Sequence, residues 1–256
     1  MNKKDIATKL ISVCLALAVW QAAAMLIHQK ILLVTPLEVI VRLCTIWQVQ
    51  GFFASIWFSF YHIALGFLLG LLLGCLLAVA AYRCRYIEIL LWPVMATVKS
   101  VPVASFVVIC LIWLSAANLS VFISFLVVMP IIYQNMLTGL RAQSREMDEF
   151  AVVFEMPRLK RLKYITIPQI REYLVSACSV TTGLAWKSGV AAEIIGTPSG
   201  SIGKMLYTAK IYLDTDDLLA WTVIIVVISV VSEKIFMRLL KGILGYEDKR
   251  TEQVLR

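Results

Sequence analysis

Long apolar blocks alternate with short charged stretches along the chain, and the blocks run for about 20 residues without period-2 alternation, which predicts membrane-crossing helices rather than barrel strands. Such helices are expected near residues 7–27, 59–81, 102–115, 119–140, 172–194 and 217–240. The third is the least regular: the apolar stretch from Ile87 meets Pro93, Lys99 and Pro102 before the run Val103 to Leu114, which predicts a bent or partly re-entrant segment. Lys3 and Lys4 precede the first block and Ala22 to Ala24 follow it, the order of a signal peptide. The block is of spanning length, however, so an uncleaved first helix is expected. Between the first two blocks, Thr35-Pro36 is a helix-start signal, and the amphipathic stretch through Trp47 is expected to lie along the outer interface without crossing it.

Composition agrees with this pattern. The 256 residues are 61% hydrophobic and 16% charged, far more apolar than the roughly 45–50% of a soluble domain. A bilayer absorbs that much apolar surface provided the backbone groups pair within helices. The formal charge of +8 would suit nucleic acid if it were spread over one face, but the basic residues sit between apolar blocks, as a membrane topology requires. With the N-terminus inside, the inner segments collect Lys3, Lys4, Lys9, Arg83, Arg85, the basic residues from Arg141 to Arg171 and those of the C-terminal tail. Only Lys30, Arg42, Lys204 and Lys210 fall outside. Both termini are therefore expected in the cytoplasm of a cell-membrane protein. The six cysteines form no CxxC pair and read as small lipid- or core-facing residues, with no metal site expected. His28 and His62 are isolated, without ligand spacing. The whole chain, 1–256, reads as a single all-α polytopic membrane domain.

The longest inner loop, 141–171, contains MDEFAVVFEMPRLKRLKYITIPQI from Met147 to Ile170. Phe150, Val153 and Phe154 share a helical face at i, i+3 and i+4. Asp148 and Glu149 suit the positive end of that helix. Pro157 is expected to end it and seed a second, basic helix, and Pro168 to break the chain again before the next membrane span.

In this loop the sequence resembles the importer permeases of the ATP-binding-cassette superfamily. Their motif runs Glu-Ala-Ala, three residues, Gly, nine residues, Ile, one residue, Leu-Pro, and it falls here on Glu149, Phe150, Ala151, Glu155, Ile165, Ile167 and Pro168. The spacing matches throughout. Phe150 stands for Ala, Ile167 for Leu, and Glu155 for the Gly of the usual turn. The resemblance spans roughly residues 55–245 and implies a type I importer-like bundle. It makes the loop a coupling helix seated on a separate ATPase, with Glu149, Phe150, Ala151, Val153, Phe154, Glu155, Ile165 and Pro168 as its contact set. It also implies an external substrate-binding protein and a second permease chain, with a homodimer expected. The segment LAWKSGVAAEIIGTPSGSIG, from Leu184 to Gly203, resembles the branch handling nitrate, sulfonates, taurine and thiamine-pyrimidine precursors, through Glu193, Gly196, Gly200 and Gly203.

Ionisable groups at membrane depth are costly and face a cavity or a partner. Lys99 and Lys187 are thus candidates for a path taken by a small polar or anionic solute, with Ser100, Ser105, Thr182 and Ser188 as donors, Trp186 as a stacking surface and Glu193 nearby. The alternative reading is internal ion pairing of either lysine with Glu193, or snorkelling of Lys99 to the inner surface. Asp214, Asp216 and Asp217 read as a solvated helix start. No GxxxxGK[ST] is present, so ATP and Mg are expected on the partner ATPase and no cofactor in this chain. An intramembrane enzyme would call for GxSxG, HExxH or paired intramembrane aspartates, which the sequence lacks, and an ion-coupled transporter for an inverted repeat with buried acids.

Overall fold

The computed structural model describes residues 3–27 and 29–245, so His28 and the basic tail lie outside the described residues. Among these the regular structure is entirely helical. In chain order the helices are α1 (Lys3–Ile27), α2 (Pro36–Thr45), α3 (Phe52–Arg83), α4 (Arg85–Ser100), α5 (Val103–Cys110), α6 (Ala116–Arg141), α7 (Arg145–Val153), α8 (Arg158–Arg161), α9 (Ile167–Gly196), α10 (Ile202–Tyr212) and α11 (Thr215–Ile243).

Three of these, α3, α6 and α11, are each long and apolar enough to cross a bilayer, and the α4–α5 pair is a fourth candidate. The expected six spans are not reached on that criterion: α9 has the length, but its serines, threonines and glycines together with Lys187 keep its middle too polar, and the described apolar part of α1 covers only Ile11–Ile27. The irregular third segment is bent as expected, α5 turning 102° from α4. Pro102 sits at the corner as the N-cap of α5, where its missing N–H is not needed. Pro93 does not interrupt the chain as its position suggested. It lies inside α4, and the Thr97 hydroxyl bonds back to its carbonyl at 2.8 Å. The helix α10 between α9 and α11 was not expected from the sequence.

The core is built from α3, α6 and α9. Gly66, Gly70 and Gly74 repeat every four residues on α3 and let the backbone of α6 approach closely: a Cβ on Gly70 would stand 2.9 Å from Val128 Cβ, and one on Gly74 would stand 2.8 Å from the Met129 carbonyl oxygen. Small residues at this spacing are how helices pack where hydrocarbon offers no hydrophobic drive. Ile63, Val128, Ile132, Cys178 and Ala185 fill the seam and are buried.

At the end of the bundle where α11 begins, Thr35 caps α2 in a full capping box with Glu38, with Pro36 opening the helix, as the sequence signal predicts. The Glu38 carboxyl is held down at about 2 by Lys30, whose ammonium stands 2.6 Å away, and by Thr35. Arg42 of α2 makes a two-pronged ion pair with Asp217 at the start of α11, one arm at 3.0 Å, and this partner raises the Arg42 pKa. Asp217 is therefore not a free solvated cap but a clamp between two helices. α1 is tied on by Trp20, whose indole N–H donates to the Val34 carbonyl at 3.1 Å.

Candidate coupling loop and translocation face

The loop between α6 and α9 is organised from within. Ser144 caps α7, its hydroxyl accepting from the Met147 N–H, and the Ser144 N–H donates to the Gln169 side chain at 2.9 Å, which fixes the start of α7 against the base of α9. After Val153 the chain turns sharply: Glu155 N–H donates to Val152 O at 3.0 Å and Met156 N–H to Ala151 O at 2.9 Å. Glu155 closes this turn with φ 49°, the left-handed region that favours glycine. The backbone thus keeps the turn that the family motif makes with Gly, although the residue differs.

Pro157 then caps the basic α8, as the sequence implies. Pro168 does not break the chain. From Arg158 to Gly196 the helix is continuous, with a π-turn over Leu162–Thr166 in which the Ile167 N–H reaches back five residues to Leu162 O. A π-turn widens the helix by one residue, and it sits just where Pro168 lacks the donor for a regular hydrogen bond.

Within the contact set expected from the sequence, two residues point inward and the rest outward. Ala151 and Ile165 are buried and anchor the loop. Phe150, Val153, Phe154, Glu149, Glu155 and Pro168 are exposed. The Phe150 and Phe154 rings lie 4.4 Å apart and form one apolar knob, with Phe154 64% exposed. Val152, Leu159 and Leu162 extend this apolar surface, and Arg158, Lys160 and Lys163 rim it with charge. Two large aromatic rings held in water by a rigid, capped helix are the composition of an interface anchor.

The path candidates split into two groups. Lys99, Ser100 and Ser105 are exposed around the α4–α5 bend, and Lys187 is exposed on α9. Neither lysine pairs with an acid among the described residues, so the internal-pair reading with Glu193 is not realised. Lys187 shares its stripe with Ser176, Val180 and Gly183, at steps of four, three and four residues, and a Cβ on Gly183 would meet nothing within 4 Å. The opposite face of α9 is buried and internally bonded. Thr182 and Ser188 donate to the carbonyls one turn back, and the Trp186 indole donates to Ser232 of α11 at 2.8 Å.

Glu193 is completely buried. Its Oε2 accepts from the Ser59 hydroxyl at 2.6 Å and from the Gly203 N–H at 3.2 Å, while Ser59 accepts from the Ile202 N–H at 3.0 Å. One carboxyl thereby joins α3, α9 and the start of α10, and a side chain at Gly203 would collide with it. This arrangement places Glu193 among structural contacts rather than on an exposed wall. Glu233 of α11, which the sequence reading passed over, accepts from the Ser179 hydroxyl at 2.9 Å. The signal that could have found it is an acid one residue before Lys234 inside an apolar block.

Residues 66–245 match the family model of the binding-protein-dependent transport system inner membrane component. The chain belongs to this family of importer permeases, integral membrane transport subunits of ATP-binding-cassette transporters. It is 25% identical to the putative aliphatic sulfonates transport permease protein SsuC of Bacillus subtilis, over 88% of this chain and 82% of that one. It is 24% identical to the taurine transport system permease protein TauC of Escherichia coli, over 84% and 80%. Its fold is similar to a chain in the crystal structure of an amino acid ABC transporter with histidines, with a TM-score of 0.60 and 16% identity over 80% of this chain and 98% of that one.

Proposed function

We propose that this chain forms the translocation path of an importer for a small polar or anionic solute, of the nitrate, sulfonate, taurine or thiamine-pyrimidine-precursor kind. An external binding protein delivers the solute, and a separate ATPase holding ATP and Mg drives the transport. Both termini lie in the cytoplasm in this reading, and a second copy of the chain completes the path.

The observation that carries it is the Phe150–Phe154 knob, displayed on a helix fixed at its base by Ser144 and Gln169. A push on that knob has a route to α9 through the Ser144–Gln169 bond at the base of α7, and α8, the π-turn and α9 continue beyond the turn as one rod. The α9 stripe of Ser176, Val180, Gly183 and Lys187 then supports a path between two copies: Ser176, Val180 and Lys187 are exposed in the single chain, and Lys187 brings a positive charge to its upper part, with Glu172 one turn below Ser176. The sulfonate and taurine named for the two relatives are consistent with a positively charged path.

The test has two parts. A partner ATPase is expected to co-purify with the wild-type chain and to be lost with Phe154→Glu, while the variant chain remains folded in the membrane. Lys187→Met is expected to keep the ATPase bound and to lower uptake of an anionic solute at least tenfold. Retention of the ATPase by Phe154→Glu would overturn the coupling assignment, and unchanged uptake by Lys187→Met would overturn the path assignment.

A further inference from the structure

Beside the coupling loop, the ends of α3, α4 and α6 enclose a cleft of about 580 Å³ that the transport reading does not use. Arg85, Glu88, Ile89 and Trp92 line it from α4, at i, i+3, i+4 and i+7, so they form one stripe along the helix. Ala81 and Tyr82 of α3 and Arg141 of α6 complete the wall. Arg141 and Glu88 are ion-paired, whereas Arg85 is exposed and has no acidic partner among the described residues.

Chemistry along the stripe is graded. It begins with a guanidinium at the first residue of α4 and passes through Ile89 to Trp92, about 10 Å along the axis at 1.5 Å per residue. Ile89 and Trp92 are 61% and 71% exposed, and Leu90 and Val94 beside them are also bare. These side chains lie on the α4–α5 pair, which is together long and apolar enough to cross a bilayer, so hydrocarbon is their expected surrounding. A phospholipid presents phosphate, glycerol and acyl chain in the same order over the same distance, with Tyr and Trp at the boundary. Two guanidinium groups against one carboxylate leave the cleft one positive charge in excess, which complements one phosphate ester.

From this we infer that the α3–α4–α6 cleft binds an anionic phospholipid of the leaflet on the coupling-loop side, with its phosphate between Arg85 and Arg141 and its glycerol and upper chain against Ile89 and Trp92. The inference rests on the proposed orientation only for which leaflet supplies the lipid, and its test involves neither ATPase nor transport.

The full chain in nanodiscs is titrated with brominated phosphatidylglycerol against brominated phosphatidylcholine, and the quenching specific to Trp92 is taken as the difference from Trp92→Phe. Phosphatidylglycerol is expected to be preferred. Arg85→Gln should weaken that preference about fivefold, as expected for one basic residue at a membrane surface. Glu88→Gln, which frees Arg141, should strengthen it. Because the two variants move in opposite directions, a general loss of folding cannot imitate the result. Equal quenching by both lipids, no response to Arg85→Gln, or full protection by inorganic phosphate would overturn the proposal. So would loss of a bound ATPase from Arg85→Gln with lipid preference intact, since that would make the cleft a protein interface.

Discussion

Glu155 holds a left-handed backbone at the turn between α7 and α8, a conformation that crowds an L side chain and costs roughly 1–2 kcal/mol. Glu155→Gly should therefore be tolerated and retain the ATPase. Glu155→Val, with a β-branched side chain, should open the turn and speed amide exchange at Met156, whose N–H closes it onto Ala151. At the other end of α9, Glu193 satisfies Ser59 and the Gly203 N–H. Glu193→Ala leaves both donors buried without an acceptor, and about 1–3 kcal/mol of stability should be lost, read as a lower melting temperature of the purified chain. Glu193→Gln, which keeps an acceptor oxygen, should lose less. Glu38 behaves differently because it is not buried. Its folded pKa is about 2, depressed from 4.5 first by Lys30 and then by Thr35, so the stability it contributes is complete above the unfolded value and disappears as pH falls through about 2. The α2 cap should thus survive exposure to pH 4 in wild type. Lys30→Met should move cap loss to higher pH, visible as faster exchange of the Glu38 amide.

Among the elements, α3 and α6 have the tightest seam. Gly70→Leu or Gly74→Leu would drive a side chain into Val128 or the Met129 backbone, and backbone cannot yield as a flexible side chain does. Both variants are expected to fail to accumulate as folded protein in the membrane. Gly183→Ala on α9 is the control, since its Cβ would meet nothing within the chain. It should leave the melting temperature of a single copy unchanged. The α8–π-turn–α9 rod belongs to the same scale. Proline in a helix is usually read as an interruption, but the π-turn ahead of Pro168 keeps the rod continuous from Arg158 to Gly196.

For the whole molecule, the clamp of Arg42 and Asp217 and the pair of Glu88 and Arg141 sit at opposite ends of the bundle, with the apolar core of α3, α6 and α9 between them. Phe150→Ala and Phe154→Ala are expected to cost about 2 kcal/mol or more of ATPase affinity each, as central aromatic anchors do, and this is measurable by titrating detergent-solubilised chain with the ATPase.

The sequence alone determined that the chain lives in a bilayer, that its spans are helical, where α2 starts and which loop carries the coupling motif. Each of those follows from hydropathy, spacing or a local capping signal, which depend on neighbours a few residues away. The turn at Glu155 was not among these: Glu stands where the resembled motif has Gly, Pro157 was the expected break, and the structure makes the turn at Glu155. What only the tertiary structure decided is how distant residues meet. Glu193 turned out to be a bonded staple because Ser59 and Gly203 come from other helices, and Asp217 a clamp because Arg42 lies against it. Pro93 and Pro168 remained inside helices, where the local rule had placed breaks. A buried charge or a missing donor is costly or harmless according to what packs against it, and a linear chain carries no record of that until it has folded.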